Sequence, residues 1–172
     1  MAIQSVTYRG KLDVVEVPSG AGIAPTSVVN HTLFSGGVNA GRDDVYGPTT
    51  TPACNAVADF QQALSSGAAT IDLTNLPAFG GATQSFNGKK VVAAKFRNPS
   101  TNANSITIAQ GGTNPYGLLG TTFSITLQPG QEFLFGPQAA ISAATPTVSS
   151  TVKTIALTGT GSQALDVLLV AG

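Results

Sequence analysis

The chain has 172 residues, eight Lys+Arg against eight Asp+Glu and only 9% charged residues, where ordinary soluble domains carry about a quarter. That length suits one domain burying roughly 70% of its unfolded surface, and so sparse a basic complement weighs against a nucleic-acid partner, whose phosphates need a dense cationic face. A lone Cys54 excludes an intrachain disulfide and a cysteine-built zinc site, and no apolar run approaches the ~20 residues of a membrane-spanning helix.

Met1 to Arg9 holds neither the basic nor the apolar part of a signal peptide, so none is expected. Ile3–Tyr8 and Lys11–Val17, broken at Arg9-Gly10, read as an N-terminal hairpin or paired edge strands. Pro18–Pro25 is a Gly, Ala and Pro linker, and Ser27–Phe34 is a strand that places His31 beside Val29 and Leu33. Ser35–Pro52 turns loop-like, with Gly36-Gly37, Asp43-Asp44 and Gly47-Pro48. It is long for a loop in a compact domain, which predicts an extended arm or a loop ordered by a neighbour.

Ala56–Ser65 is ambiguous: Val57, Phe60 and Leu64 fit a helical face, whereas Ala58, Phe60, Gln62 and Leu64 fit one side of a strand. Ser66-Gly67 leads directly into the alternating Thr70–Thr74, which favours a hairpin. Leu76–Gly88 reads as a loop. Val91–Phe96 and Ile106–Ala109 are short β-branched strands joined by Asn98-Pro99-Ser100-Thr101-Asn102, a hairpin-like or sheet-crossing connection. In Phe123–Leu127 the odd positions are apolar and the even ones hydroxylated, so one face is buried and one is wet. Pro129 and Gly130 occupy the centre of a type II turn, after which Glu132–Phe135 restarts as a strand. Pro137–Thr151 is a connection, Thr154–Thr158 and Ala164–Val170 are the last strands, and TIDLT (70–74) and TIALT (154–158) are near copies. The expected fold is all-β: an antiparallel β-sandwich, jelly-roll-like, of about eight to ten strands with an extended N-terminal arm or long loop. Residues 1–52 would hold the N-terminal strands and arm, and 53–172 the sandwich, together one structural unit.

Chemistry-bearing residues are few. His31 in a strand reads as a hydrogen-bonded structural residue rather than a metal ligand or base, and Cys54, with no nearby His, as an inert thiol. Asp43-Asp44 could contribute to a calcium site but lacks further spaced acids. Asn30-His31-Thr32 matches a glycosylation sequon, read as accidental in the absence of a signal peptide. Lys89, Lys90, Lys95 and Arg97 are the basic concentration; on a strand Lys89, Lys95 and Arg97 point the same way, either towards an acidic partner or as a charged edge that deters wrong pairing. With Asp43, Asp44 and Tyr46 those three are the candidate partner-contacting residues. No catalytic, cofactor or metal site is expected.

Several stretches resemble β-rich structural proteins of tailed bacteriophages and prophages, head decoration (cement) proteins among them. They are Gly67–Thr74, Lys95–Ile108 with its FRNPSTNANSITI core, Asn114-Pro-Tyr-Gly-Leu-Leu-Gly120, Leu127-Gln-Pro-Gly-Gln-Glu-Phe-Leu134, and Gly159–Val170. The resemblance implies a non-enzymatic virion component on the outer surface of the capsid, made in the host cytoplasm. Its partners would be the major capsid protein and further copies of itself, as a homotrimer at local three-fold positions. A tail, fibre or head-to-tail connector subunit is the alternative; a carbohydrate-binding sandwich is a second, weakened by the lack of Trp and the presence of only three Tyr.

Overall fold

A computed structural model describes residues 46–77, 82–136 and 144–172 in full, and the backbone alone of the strand residues 6–8, 11–16, 29–34, 37–38 and 44–45. The chain divides into two compact units, Val6–Val45 and the unit of Tyr46–Gly172. The division falls a few residues before the expected 52/53 boundary.

In the first unit, β1 (Val6–Tyr8) pairs with β5 (Asp44–Tyr46), while β2 (Lys11–Glu16), β3 (Val29–Phe34) and β4 (Gly37–Val38) form a three-stranded antiparallel sheet. This corrects one expectation: the first two runs do not pair with each other, because the longer β3 supplies six register partners to β2. The 35–52 stretch, expected as an extended arm or a loop ordered by a neighbour, contributes the short strands β4 and β5.

The larger unit contains β6 (Ala56–Ala63), β7 (Ala68–Asp72), the short pair β8 (Leu76–Pro77) and β9 (Thr83–Gln84), β10 (Val91–Arg97), β11 (Ile106–Gln110), β12 (Ser124–Leu127), β13 (Glu132–Phe135), β14 (Thr154–Thr158) and β15 (Ala164–Ala171). Eight of these build two antiparallel sheets, β13-β10-β15-β6 and β12-β11-β14-β7. Counting those eight along the chain, the sheet orders are 6-3-8-1 and 5-4-7-2. Every connection crosses from one sheet to the other except that between β11 and β12. This is the jelly-roll arrangement of a double-sheet sandwich.

Period-two alternation drives the packing. Ile106 and Ile108 of β11 point inward to meet Ile155 and Leu157 of β14, and Phe96, Leu165, Val167 and Leu169 face them from the other sheet; all are buried in one core. Burying a side chain of this kind contributes about 1.5–3 kcal/mol, so the two inner faces hold the sandwich together. The near-copies TIDLT and TIALT prove to be neighbours: β7 and β14 pair with Ile71 opposite Ile155.

The ambiguous 56–65 stretch forms a strand over Ala56–Ala63, with Ala56 and Ala58 buried and Val57 and Asp59 exposed. The expected β6–β7 hairpin does not form. Ser65–Gly67 carries the chain to the opposite sheet, leaving one isolated bridge, Ser65 to Ala68. Gly67 is required there: its φ is +81° and a Cβ would sit 2.7 Å from the carbonyl oxygen of Gly159. The Pro129-Gly130 turn is as expected, with Gly130 at φ +84° and the Gln131 N–H donating to Gln128 O at 2.9 Å. It too joins strands in different sheets.

At one end of the sandwich the buried Asn98 ties the crossings together. Its Nδ2 donates to Asn104 O (3.1 Å) and Leu127 O (2.9 Å), and its Oδ1 accepts from Asn102 Nδ2 (2.6 Å). A buried amide satisfied on both ends specifies a single loop geometry.

Candidate functional site

The outer face of the β13-β10-β15-β6 sheet concentrates the larger unit's chemistry. Along β10, Ala94 and Phe96 enter the core, which turns Ala93, Lys95 and Arg97 outward. Along β15, Leu165, Val167 and Leu169 are buried, which turns Asp166 and Leu168 outward. Registers then align these positions into rows. Glu132, Arg97, Asp166 and Gln61 form one row; Leu134, Lys95, Leu168 and Asp59 form the next; Ala93, Val170 and Val57 form a third.

The face is mixed in character. Of the four large hydrophobic side chains exposed among the described residues, three lie on it: Val57, Leu134 and Leu168, each 36–39% accessible. Lys95 Nζ reaches Glu132 Oε2 at 2.8 Å, and Gln61 Nε2 donates to Asp166 Oδ1 at 2.9 Å. Both side chains of the Lys95–Glu132 pair are about half exposed, so it contributes little to folding. Arg97 and Asp59 are exposed, and neither has an ion pair or hydrogen bond among the described residues. Between the strands lies a shallow depression of about 320 Å³ lined by Asp59, Lys95, Arg97, Asp166, Val167 and Leu168. It is open rather than enclosed, so its geometry suits a broad surface better than a small engulfed ligand.

The outer face of the other sheet is different. Two of its rows are Thr126, Thr107, Thr158 and Ala68, then Ser124, Ala109, Ala156 and Thr70, with no charge in either, and the next sets Thr154 beside Asp72, which is paired with Lys153. Thr107 and Thr126 share a hydroxyl hydrogen bond of 2.9 Å.

Of the six residues expected to contact a partner, the structure brings together Lys95 and Arg97. Lys89 is not in their row. It precedes β10 in a turn, its N–H bonded to Phe86 O, and a bulge between Val91 and Ala93 interrupts the alternation that would have aligned it. Asp43 and the side chain of Asp44 lie outside the described residues, and Tyr46 is half-buried at the end of β5. The acids that join the basic pair, Asp59, Asp166 and Glu132, were missed. Asp59 and Asp166 each interrupt an otherwise uncharged strand, which is the signal that marks an outward position; their proximity depends on pairing.

Cys54 and Tyr116 are both buried. Desolvation pushes the Cys54 thiol up to about 11, so it stays protonated at neutral pH. His31 lies in β3 opposite Val14, its side chain outside the described residues. Among the described residues no group of three or more His, Cys, Asp or Glu is placed to hold a metal ion, and no helix is long and apolar enough to cross a membrane. The Asn114–Gly120 loop delivers Tyr116 to the core, where its hydroxyl accepts from Val91 N–H and donates to Pro146 O, both at 3.0 Å. No family model, curated protein or solved structure matches this chain.

Proposed function

We propose that this chain is a structural component of a tailed-phage virion, a head decoration protein that binds the major capsid protein as a symmetric oligomer on the outer surface of the shell. The reading is supported above all by the outer sheet face of a jelly roll, where exposed Val57, Leu134 and Leu168 are interleaved with Arg97 and Asp59, which have no ion pair among the described residues. Such a face presents area rather than a cleft. A sparsely charged surface of Thr, Ser and Ala is poorly suited to a dispersed monomer and well suited to being covered by neighbours. Many copies on a symmetric shell then compensate for a modest individual contact. The resemblance of Gly67–Val170 to phage structural proteins points the same way, with trimers at local three-fold positions as the favoured arrangement.

The test has two stages. Light scattering after size exclusion, at low and high salt, is expected to give an oligomer of defined mass. The protein is then incubated with heads assembled from the major capsid protein of the encoding phage or prophage and sedimented. Stoichiometric co-sedimentation with heads supports the reading. Failure to bind heads, with recovery in tail or connector fractions instead, overturns the decoration role and moves the chain to the tail or head-to-tail junction.

A further inference from the structure

We infer that the outer face of the β13-β10-β15-β6 sheet is a two-fold contact surface for a second copy of this chain, in which Arg97 of each copy meets Asp166 of the other. The inference goes beyond the virion reading, because it concerns the free protein and needs no shell.

The argument is one of self-complementarity. Two identical sheet faces can stack about a two-fold axis lying between them, parallel to the strands and midway between β10 and β15. Such an axis reverses the order of strands but keeps each residue at its own level along them. The row Glu132, Arg97, Asp166, Gln61 is then opposed by Gln61, Asp166, Arg97, Glu132. Both Arg97 residues face an aspartate, and both glutamates face an amide. In the next row Lys95 is opposed by Leu168, with Asp59 of the second copy one strand away. In the third row Ala93 and Val170 are themselves buried, so the contact rests on the first two. No like charges are opposed in either. The same operation on a random mixture of acids and bases would bring some together, which costs affinity and selects against wrong pairing.

Two details strengthen it. Arg97 has no ion-pair or hydrogen-bond partner within the described residues, so no contact among them competes with its pairing across the interface. Arg97 and Asp166 flank the axis on the two inner strands, as do Lys95 and Leu168, so they shift sideways less than the outer strands when the sheets rotate by the roughly 30° usual for aligned packing. Four strands about 4.8 Å apart and roughly six residues long give a footprint of at most about 19 by 20 Å, below the ~800 Å² per partner of a standard interface. The contact is therefore weak and shows itself at high concentration.

The full chain is followed by sedimentation velocity over a concentration series up to roughly 1 mM, where contacts of this size associate. The charge reversals Arg97→Asp and Asp166→Arg are run alone and mixed in equal amounts. Wild type is expected to double the mass seen in either variant, whether that base unit is one chain or a trimer. Each reversal alone places like charges across the axis and weakens association at least about tenfold. The mixture restores it. The aspartate introduced at position 97 of one copy then faces the arginine introduced at position 166 of the other, and the native Asp166 of the first copy faces the native Arg97 of the second. Because each variant must be folded for the mixture to recover, circular dichroism of each is a sufficient check on folding. Wild type that shows no concentration-dependent doubling, single variants that associate as well as wild type, or a mixture of folded variants no better than its components would each overturn the inference. Variants that still bind heads while failing to dimerise leave the decoration reading standing, and wild type that dimerises but ignores heads does the reverse.

Discussion

Tyr116 shows how much a single side chain can hold in this fold. Its ring is fully buried and its hydroxyl bridges β10 to the 145–148 segment, accepting from Val91 N–H and donating to Pro146 O; burial pushes its ionisation up to about 12. Tyr116→Phe keeps the packing but strands a buried N–H, and is expected to lower unfolding free energy by about 1–3 kcal/mol in urea denaturation. In the sequence this tyrosine reads only as part of an Asn-Pro-Tyr loop. Its partners lie 25 and 30 residues away, and local chemistry carries no mark of them. Asp72 offers a second test. Burial by itself would raise its pKa, but hydrogen bonds from Lys153 Nζ at 2.7 Å and from Thr74 outweigh that and hold it below the ordinary carboxylate value. A carboxyl depressed in the folded state stabilises above the unfolded pKa of about 3.9 and loses that contribution as pH falls through the folded value. Urea midpoints of wild type and Asp72→Asn are therefore expected to differ at pH 7 and to converge as the pH falls through and below the ordinary carboxylate range.

At the scale of elements, the strands themselves were legible and their destinations were not. Alternation located β7 and β12, because a half-buried strand leaves a period-two trace in its residues, and β-branched or apolar runs bounded by turn residues located β10, β11, β13, β14 and most of β15. Whether a turn returns the chain to the same sheet is decided by which distant strands fill each face. Ser66-Gly67 has turn chemistry that suits a hairpin, yet Gly67 is packed against Gly159, at the other end of the domain's sequence. That close approach predicts a graded effect. Gly67→Ala adds a backbone clash to a positive-φ strain and is expected to cost at least about 2 kcal/mol. Gly88→Ala, at φ +77° with open space around its Cβ position, carries the strain alone, about 1 kcal/mol. Thermal denaturation of the two variants separates the terms. The bulge at Val91/Ala93 explains why Lys89 fell out of the basic row: one inserted residue reverses every later side chain.

For the whole molecule, the all-β jelly roll was legible from composition and turn spacing, whereas the functional face was half legible. Lys95 and Arg97 were found as a basic concentration on one strand; Asp59, Asp166 and Glu132 lie on three other strands and join them only through register. A surface assembled by four strands has no contiguous signature. The same topology has a consequence for synthesis. β15 is the strand between β10 and β6, paired with β6 from Ala56–Ala171 to Ala63–Ala164. Until residues 164–171 have left the ribosome, the first sheet lacks its middle, and β6 and β10 stand apart with unsatisfied edges. That sheet must therefore stay unzipped until this segment emerges. Residues 164–171 would act as the fastener, and any stall before them would leave a particle whose bare edges invite pairing with other chains.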